Sequence, residues 1–254
     1  MLKNGEGDAL VSAGSTGALH GPTSLIVRTL KGIKRPALAT QMPGVKQNFL
    51  LLDCGANAEC RSDMLNAFGT MGSVYAKQVM GRTDPAVALI NNGTEEHKGT
   101  PLYREAHEKL KENPSIRFAG NIEPRDIMDG EVDVVVCDGF VGNVVLKLTE
   151  GVAKTLFRML KPVFLKNLLT KLSYLAIKDG LRDPKRMVDS EEVGGAPLLG
   201  AAKPVIKAHG SSKAKGIKNA IRQARLCVEN DLCGTMQTAL DATLAAAAEA
   251  PQAE

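Results

Sequence analysis

The densest group of chemically capable side chains is Lys207-Ala208-His209-Gly210-Ser211-Ser212, which follows a short apolar run. A lysine ammonium beside the free N–H groups of a helix N-terminus can bind phosphate or stabilise an oxyanion, and an imidazole can carry a proton near neutral pH. Lys207, His209 and Ser211 are therefore the first catalytic candidates. Gly210 is a substrate-binding candidate, because glycine lets a ligand approach the backbone. The alternative is a capped helix with an incidental histidine.

A second loop of this kind is Ser12 to Ala18, where Gly14, Ser15, Thr16 and Gly17 are candidate substrate-binding residues. Its glycines would let the backbone approach a ligand, and its hydroxyls and N–H groups would form an anion site. A tight strand-to-helix turn with a serine or threonine N-cap explains the pattern equally well. The loop is neither GxGxxG nor a Walker A motif.

Asparagine or aspartate stands beside glycine after three further apolar runs. Such side chains could hold a hydroxyl, an amide or a metal, but singly each more often caps a helix or accepts a positive φ. Three of them at one sheet edge would favour a binding site. These loops add Asn92 as a fourth catalytic candidate. They also add six substrate-binding candidates, which are Asp53, Asn57, Thr94, Glu95, Asp138 and Asn143. His20 and His97 are weaker candidates, and His107 is expected on a solvated helix face.

Six apolar runs of strand type end in glycine loops, and stretches of helical period separate them at 16–31, 62–80, 101–112 and 212–229. This alternation predicts an α/β fold with a doubly wound, mostly parallel sheet. Ligands bind at the carboxyl ends of the strands in such sheets, so the six loops would form one site. The runs are Ala9–Ser12, Phe49–Leu52, Ala86–Ile90, Ile116–Ala119, Val132–Val136 and Val205–Lys207.

The alternation stops over a long leucine-rich stretch that is interrupted at Pro162 and contains no predicted strand. Between residues 150 and 190, nine lysines and arginines stand against four acidic residues. We therefore expect an α/β core at 1–149, a basic helical projection at 150–190, and a return to the core with C-terminal helices at 191–254.

Composition narrows the class of function. The 254 residues include 4% aromatics and no tryptophan, and the net charge is only +4, which argues against nucleic-acid binding. Five cysteines without a CxxC pair fit a reducing cytoplasm. The chain contains no nucleophile elbow, no HExxH and no zinc-ligand spacing, so we expect neither a metal nor a cofactor.

Seven segments, taken together and in order, closely resemble the PlsX family of bacterial phosphate acyltransferases, the fatty acid/phospholipid synthesis proteins. The segments are Ser12–Leu19, Lys31–Leu38, Leu51–Asn57, Met71–Tyr75, Asn92–Gly99, Asp138–Asn143 and Lys207–Ser212. The resemblance implies transfer of an acyl group from acyl-(acyl-carrier protein) to inorganic phosphate, giving acyl phosphate for phospholipid synthesis. It also implies a fold similar to isocitrate and isopropylmalate dehydrogenases. Family members carry a further segment before the match at Gly5, so we expect this chain to lack it.

The resemblance also implies partners. These are acyl-carrier protein, inorganic phosphate, a second copy in a homodimer, and an anionic membrane that holds a glycerol-3-phosphate acyltransferase. Leucines alternate with lysines from Leu156 to Leu175, which fits a helix packed in a dimer or one that touches the bilayer. The expected location is cytoplasmic, with peripheral membrane association.

Two other functions stay open. A phosphotransacetylase-like enzyme using coenzyme A would need a nucleotide pocket that no motif marks, and a chain without the upstream segment would be an inactive interaction fragment. A dehydrogenase is disfavoured, because no dinucleotide fingerprint or acidic metal cluster is present. Phosphate is already largely a dianion at neutral pH, so a site of glycine loops and cations suits its attack on a thioester better than a catalytic triad does.

Overall fold

The computed structural model describes residues 1–180 and 190–249, which form an α/β fold around an eight-stranded sheet. The strands are β1 (Leu10–Ser12), β2 (Ala37–Met42), β3 (Phe49–Leu52), β4 (Ala86–Ile90), β5 (Arg117–Ile122), β6 (Val134–Val136), β7 (Ala196–Leu199) and β8 (Val205–Lys207). The helices are α1 (Thr16–Pro22), α2 (Ser62–Gln78), α3 (Pro101–Lys111), α4 (Gly139–Leu165), α5 (Leu168–Ile177), α6 (Ser190–Val193), α7 (Ala214–Glu229) and α8 (Leu232–Glu249).

The sheet is mixed and mostly parallel, in the order β1-β8-β7-β2-β3-β6-β4-β5. One parallel block contains β1 and β8, and the other contains β3, β6, β4 and β5. Three antiparallel ladders through β7 and β2 join the blocks, which therefore run in opposite directions. The prediction that all six loops lie at one edge of the sheet is therefore wrong, because the carboxyl ends of β1 and β8 point opposite to those of β3, β6, β4 and β5.

Two strands were missed by the sequence analysis. β2 contains a single β-branched residue, Thr40, and β7 is four residues long and contains Pro197. The predicted strand at 116–119 instead continues to Ile122. Gly120, expected in a loop, lies inside β5 at a positive φ of 89°, opposite a register shift in β4.

The core is built on β3 and β6, whose side chains are all buried. α2 contacts these strands with Leu65, Phe68, Met71 and Tyr75, all at most 1% exposed. α3 and α8 also contact α2, so this helix forms the centre of one helical layer. The rigid β3–β6 pair provides the two strand ends from which the candidate site is built.

The long helix α4 continues through Pro162 and ends at Leu165, so the interruption predicted at Pro162 is wrong. The break comes at Asn167, whose side chain accepts a hydrogen bond from the Thr170 N–H in a capping box that starts α5. Pro162 lies in the last turn of α4, and its missing N–H leaves the carbonyl of Arg158 without the usual helical donor, yet the helix continues for three more residues. The basic helical projection predicted at 150–190 therefore begins inside the continuous helix α4. Its residues 181–189 lie outside the described residues. In the described ranges, no helix is long and apolar enough to cross a bilayer.

Candidate functional site

The carboxylate of Asp53 organises the loop that follows β3, Asp53–Asn57 (the Asp53 loop). Its Oδ1 accepts hydrogen bonds from the N–H groups of Leu38, Gly55 and Ala56 at 3.1, 3.0 and 2.9 Å. Its Oδ2 accepts from the backbone N–H and the Nδ2 of Asn57, both at 2.8 Å. Asp53 is fully buried, so burial raises its pKa while these hydrogen bonds act in the opposite direction. Both oxygens are occupied within the protein, so this side chain positions the loop.

The first turn of α4 packs directly on the Asp53 loop. Gly139 donates its N–H to the carbonyl of Asn57 at 2.7 Å, and a Cβ at Gly139 would lie 2.6 Å from that oxygen. A Cβ at Gly142 would overlap the carbonyl oxygen of Asp53. Only glycine permits this approach, which also brings the exposed Asn143 side chain over Gly55.

Asp138 is the N-cap of α4 and joins this turn to α3. Its Oδ1 accepts the Val141 N–H at 2.9 Å, and its Oδ2 accepts the hydroxyl of Tyr103 at 2.7 Å. Burial raises the pKa of Tyr103, and so does the hydrogen bond to Asp138. Asp138 is 8% exposed. Its carboxylate therefore acts as a cap and a connector, the structural alternative that the sequence left open.

Asn91 folds the loop between β4 and α3, Asn91–Thr100 (the Asn91 loop). Its Oδ1 accepts the Asn92 N–H at 2.9 Å, and its Nδ2 donates to the Lys98 carbonyl at 3.1 Å. The candidates Asn92, Thr94 and Glu95 are exposed on this loop, as is His97. The buried Asn91, which the sequence analysis did not choose, is what shapes it.

The prediction that His107 lies on a solvated face is wrong, because its side chain is 3% exposed. Its Nδ1 is 3.0 Å from Asn121 Oδ1, and Asn121 Nδ2 donates to the Glu95 carbonyl at 2.9 Å. The amide orientation makes Nδ1 the donor. His107 thus supports the Asn91 loop through its hydrogen bond to Asn121. Glu96 and Glu108 lie near it, but Glu96 is paired with Lys111 at 2.8 Å, so we read this group as an ion-pair cluster.

The loops after β1 and β8, Ser12–Gly17 (the β1 loop) and Lys207–Ser212 (the β8 loop), lie side by side. Ser12 is in register with Lys207, and the Ala208 N–H donates to the Ser12 carbonyl at 2.8 Å. In the β1 loop, Ser15 is the N-cap of α1 and accepts the Ala18 N–H at 3.3 Å. Thr16 is the first residue of α1, and the exposed Gly14 and Gly17 flank this cap.

In the β8 loop, His209 bonds to Ser211 and both are exposed. The His209 Nδ1 lies 2.7 Å from the Ser211 hydroxyl and accepts the Ser211 N–H at 3.2 Å. Because Nδ1 accepts the Ser211 N–H, the neutral ring carries its proton on Nε2, which is then a donor. Ser211 and Ser212 were expected at a helix start, but α7 begins two residues later with Lys213 as its N-cap. Gly210 lies exposed beside the β1 loop.

Lys207 is half-buried, and a second lysine that the sequence analysis missed lies near it. Burial lowers the pKa of Lys207, the charge of Lys147 on α4 lowers it further, and Glu150 opposes the shift. Lys147 follows Asn143 by one helical turn, on the same face of α4. The four-residue spacing from Asn143 to Lys147 is the sequence pattern that could have identified this lysine. Lys147 also pairs with Glu150 at 3.1 Å, so part of the positive charge near Lys207 is offset within the protein.

The two groups of loops meet across Pro36. Its carbonyl oxygen lies 3.0 Å from His20 Nε2 on α1 and accepts from Asn57 Nδ2, also at 3.0 Å. This contact and the Lys207–Lys147 pair join the β1 and β8 loops to the Asp53 loop and α4. The contacts thus connect the candidates of the β1, β8 and Asp53 loops, while Asn92, Thr94 and Glu95 lie on the separate Asn91 loop.

Three cysteines adjoin the Asp53 loop but do not offer a nucleophile. Burial raises the pKa of Cys54 and of Cys60 to about 12, and that of Cys137 well above its ordinary value. A thiol in this state stays protonated at neutral pH. The chemistry of the site therefore rests on cations, amides, hydroxyls and imidazole.

A family described as "Fatty acid synthesis protein" matches residues 1–235 of the chain. The chain belongs to this family. A phosphate acyltransferase of Alkaliphilus oremlandii is 50% identical over 230 residues, which are 91% of this chain and 68% of the relative. Another, of Clostridium perfringens strain SM101, is 48% identical over 236 residues, 93% of this chain and 70% of the relative. These findings confirm the resemblance and the prediction of a transferase.

The fold resembles those of phosphotransacetylases. The enzyme from Streptococcus pyogenes aligns with a TM-score of 0.57 and 20% identity, covering 94% of this chain and 65% of that one. EutD phosphotransacetylase from Staphylococcus aureus aligns with a TM-score of 0.52 and 17% identity, covering 95% and 65%. The chain thus spans just under two thirds of the length of these solved structures.

Asp53→Asn should lower the free energy of unfolding by about 3 kcal/mol, measured by urea denaturation at neutral pH. The amide nitrogen that replaces Oδ2 would turn its hydrogens toward the two donors of Asn57, its backbone N–H and its Nδ2. These buried donors would then lack an acceptor. The control is Asp8→Asn at the exposed position before β1, where we expect a change below about 0.5 kcal/mol. Equal stability of Asp53→Asn and the unmodified chain would show that the carboxylate does not hold the loop.

Proposed function

We propose that the chain transfers a fatty acyl group from acyl-(acyl-carrier protein) to inorganic phosphate. The observation that supports this most directly is the pair of lysines, Lys207 and Lys147, placed beside exposed glycine loops in a family of phosphate acyltransferases. Lys207 is half-buried, whereas Lys147 is exposed and pairs with Glu150 at 3.1 Å, so Lys207 is the ammonium group that gains most from a bound anion. Inorganic phosphate is an anion of suitable charge and size.

In this reaction, a phosphate oxygen attacks the thioester carbonyl carbon and forms the new C–O bond. The tetrahedral oxyanion then collapses, the C–S bond breaks, and the proton of hydrogen phosphate ends on the released thiol. We propose that Lys207 and Lys147 hold phosphate, and that the exposed Nε2–H of His209 stabilises the oxyanion or relays the proton. The exposed Asn92, Asn143 and Ser211 are proposed to orient the two substrates.

The acyl donor is the part of the proposal with the clearest alternative. Two solved structures of similar fold are phosphotransacetylases. Coenzyme A thioesters are therefore the competing acyl donors. An acidic carrier protein suits the exposed basic residues of α4 and α5 better. These residues are Lys154, Arg158, Lys161, Lys166 and Lys171.

The test of the acyl donor measures phosphate-dependent release of thiol from acyl-(acyl-carrier protein) and compares it with release from acyl-coenzyme A. Release from neither donor would favour the inactive interaction fragment.

Two further features of the resemblance stay proposals. One is the isocitrate and isopropylmalate dehydrogenase-like class of the fold. The other is assembly of α4 and α5 into a homodimer that also touches an anionic membrane near a glycerol-3-phosphate acyltransferase. Exposed leucines of these helices support such contacts, among them Leu156, Leu168 and Leu172 at 54, 75 and 55% exposure.

Lys207→Ala should lower kcat/KM for phosphate about 100-fold, because it removes a cation that faces the developing negative charge. The matched control is Lys218→Ala on the exposed surface of α7, which should leave turnover unchanged. Circular dichroism and urea unfolding monitor the fold. Normal turnover by a folded Lys207→Ala variant would remove the β8 loop from the site.

Phosphate binding should weaken as pH rises through the lowered pKa of Lys207, because only the ammonium form attracts the anion. Lys147→Gln removes a neighbouring positive charge, which raises the pKa of Lys207 and moves this decline to higher pH. Calorimetric titration with phosphate from about pH 8 upward, where phosphate itself is a dianion, measures the midpoint. An unchanged midpoint would contradict the pairing of the two lysines.

Reversible binding to phosphatidylglycerol vesicles should weaken with salt, because the basic residues of α4 and α5 supply part of the attraction. Leu168→Glu with Leu172→Glu should reduce co-sedimentation, since the charges oppose apolar insertion. Ile221→Glu on α7, similarly exposed at 56%, is the control. A dimer that never sediments with vesicles would restrict these helices to assembly.

A further inference from the structure

The eight residues before Pro36, Arg28–Arg35 (the basic loop), contain four cationic side chains and no acidic one. All four cations are exposed, and they are Arg28, Lys31, Lys34 and Arg35. The two large apolar side chains of the loop are turned away from solvent, since Leu30 is half-buried and Ile33 is 8% exposed. The basic loop therefore presents charge without a large apolar surface of its own.

Most of this positive charge is not neutralised within the protein. Among the described residues, three of the four cations have no side-chain hydrogen bond or ion pair, namely Arg28, Lys31 and Arg35. Lys34 Nζ lies 4.0 Å from Asp63 Oδ2, but Arg61 already holds that carboxylate with its Nε and Nη2 at 3.0 and 2.5 Å. Like charges grouped in this way attract an anionic partner from a distance.

The backbone of the basic loop is held at its start and in its middle. Arg28 has a positive φ of 73°, a conformation that a non-glycine residue adopts only under constraint. Its N–H donates to the Thr23 carbonyl at 2.9 Å, and its carbonyl accepts the Ala202 N–H at 3.0 Å. The Gln237 side chain of α8 bonds both the N–H and the carbonyl of Lys31, at 2.8 and 3.3 Å. The backbone that carries the cations is therefore ordered before a partner arrives, which lowers the entropy cost of docking.

The basic loop ends at the candidate site. It is followed directly by Pro36, whose carbonyl lies 3.0 Å from His20 Nε2 and accepts from Asn57 Nδ2, also at 3.0 Å. Two residues further, the Leu38 N–H donates to Asp53 Oδ1 at 3.1 Å. A protein docked on the basic loop would therefore lie beside the Asp53 loop.

We propose that the basic loop is the docking surface for the acidic acyl-carrier protein and holds the carrier beside the candidate site. The inference rests on the proposed function, which supplies the carrier as acyl donor. Two observations favour this occupant: the charge is complementary, and the loop exposes no large apolar side chain that a bilayer would take up. The basic residues of α4 and α5 are the competing docking surface. Exposed leucines accompany them, which suits the membrane contact proposed above.

The proposal specifies which kinetic constant responds. Charges at the rim of an interface mainly change the rate of association and its dependence on salt. Weaker docking should therefore raise KM for the carrier-bound donor and leave kcat and the KM for phosphate unchanged. Any turnover of acyl-coenzyme A should be the same before and after substitution, because this donor has no acidic protein surface.

The first experiment uses the double variant Lys31→Glu with Lys34→Glu, two residues that take no part in the proposed reaction. KM for hexadecanoyl-(acyl-carrier protein) should rise about tenfold or more in dilute salt, and the difference should shrink at high salt. Lys218→Glu with Arg222→Glu on the exposed surface of α7 changes the net charge equally and should leave KM unchanged. Urea unfolding monitors the fold. An unchanged KM would leave the carrier to α4 and α5 and overturn the inference, as would an equal rise in the α7 control.

A second experiment needs no turnover. Calorimetric titration with the carrier protein in its thiol form, without an acyl group, gives Kd for the unmodified chain and for each variant. Kd should rise about tenfold in Lys31→Glu with Lys34→Glu and stay unchanged in the α7 control. No binding by the unmodified chain, or equal binding by the basic-loop variant, would overturn the inference. Inactivity with every donor in the first experiment would count against the proposed function, while this measurement still decides the docking surface.

Discussion

The buried carboxylate of Asp53 fixes the geometry around which the other loops are arranged. It accepts hydrogen bonds from four backbone N–H groups and one side-chain amide, so the Asp53 loop has a single compact shape. The glycines that start α4 can then pack on that backbone. Removing the carboxylate would release the loop, and the start of α4 would lose its support.

The polar residues of the candidate site divide into buried residues that support the loops and exposed residues at the surface. Asp53, Asn57 and Asp138 are buried, and both carboxylates are fully hydrogen-bonded within the protein, which suits residues that hold loops in place. The Nδ2 of Asn57 donates to Asp53 and Pro36, whereas its Oδ1 is buried without a hydrogen-bond partner. His209 and Ser211 are exposed on the β8 loop, and Asn143 is exposed on the first turns of α4. A site for phosphate needs both classes, because exposed donors act on a transition state only when their backbone is already positioned.

α4 connects the site to a surface far from it. The helix starts on the Asp53 loop, passes Lys147 beside Lys207, and ends in a leucine-rich, basic region that leads into α5. A single helix therefore joins the Asp53 loop to the leucine-rich, basic surface.

The residue sequence alone predicts the α/β class, the strands and helices with clear periodicity, and the glycine loops that contain the candidates. Local patterns suffice there, because apolar alternation and turn residues act over a few positions. Only the tertiary structure decides that β2 and β7 divide the sheet into opposed blocks, that His107 is buried, and that Lys147 meets Lys207. These depend on contacts between residues distant in the chain, where burial and close approach outweigh local preference.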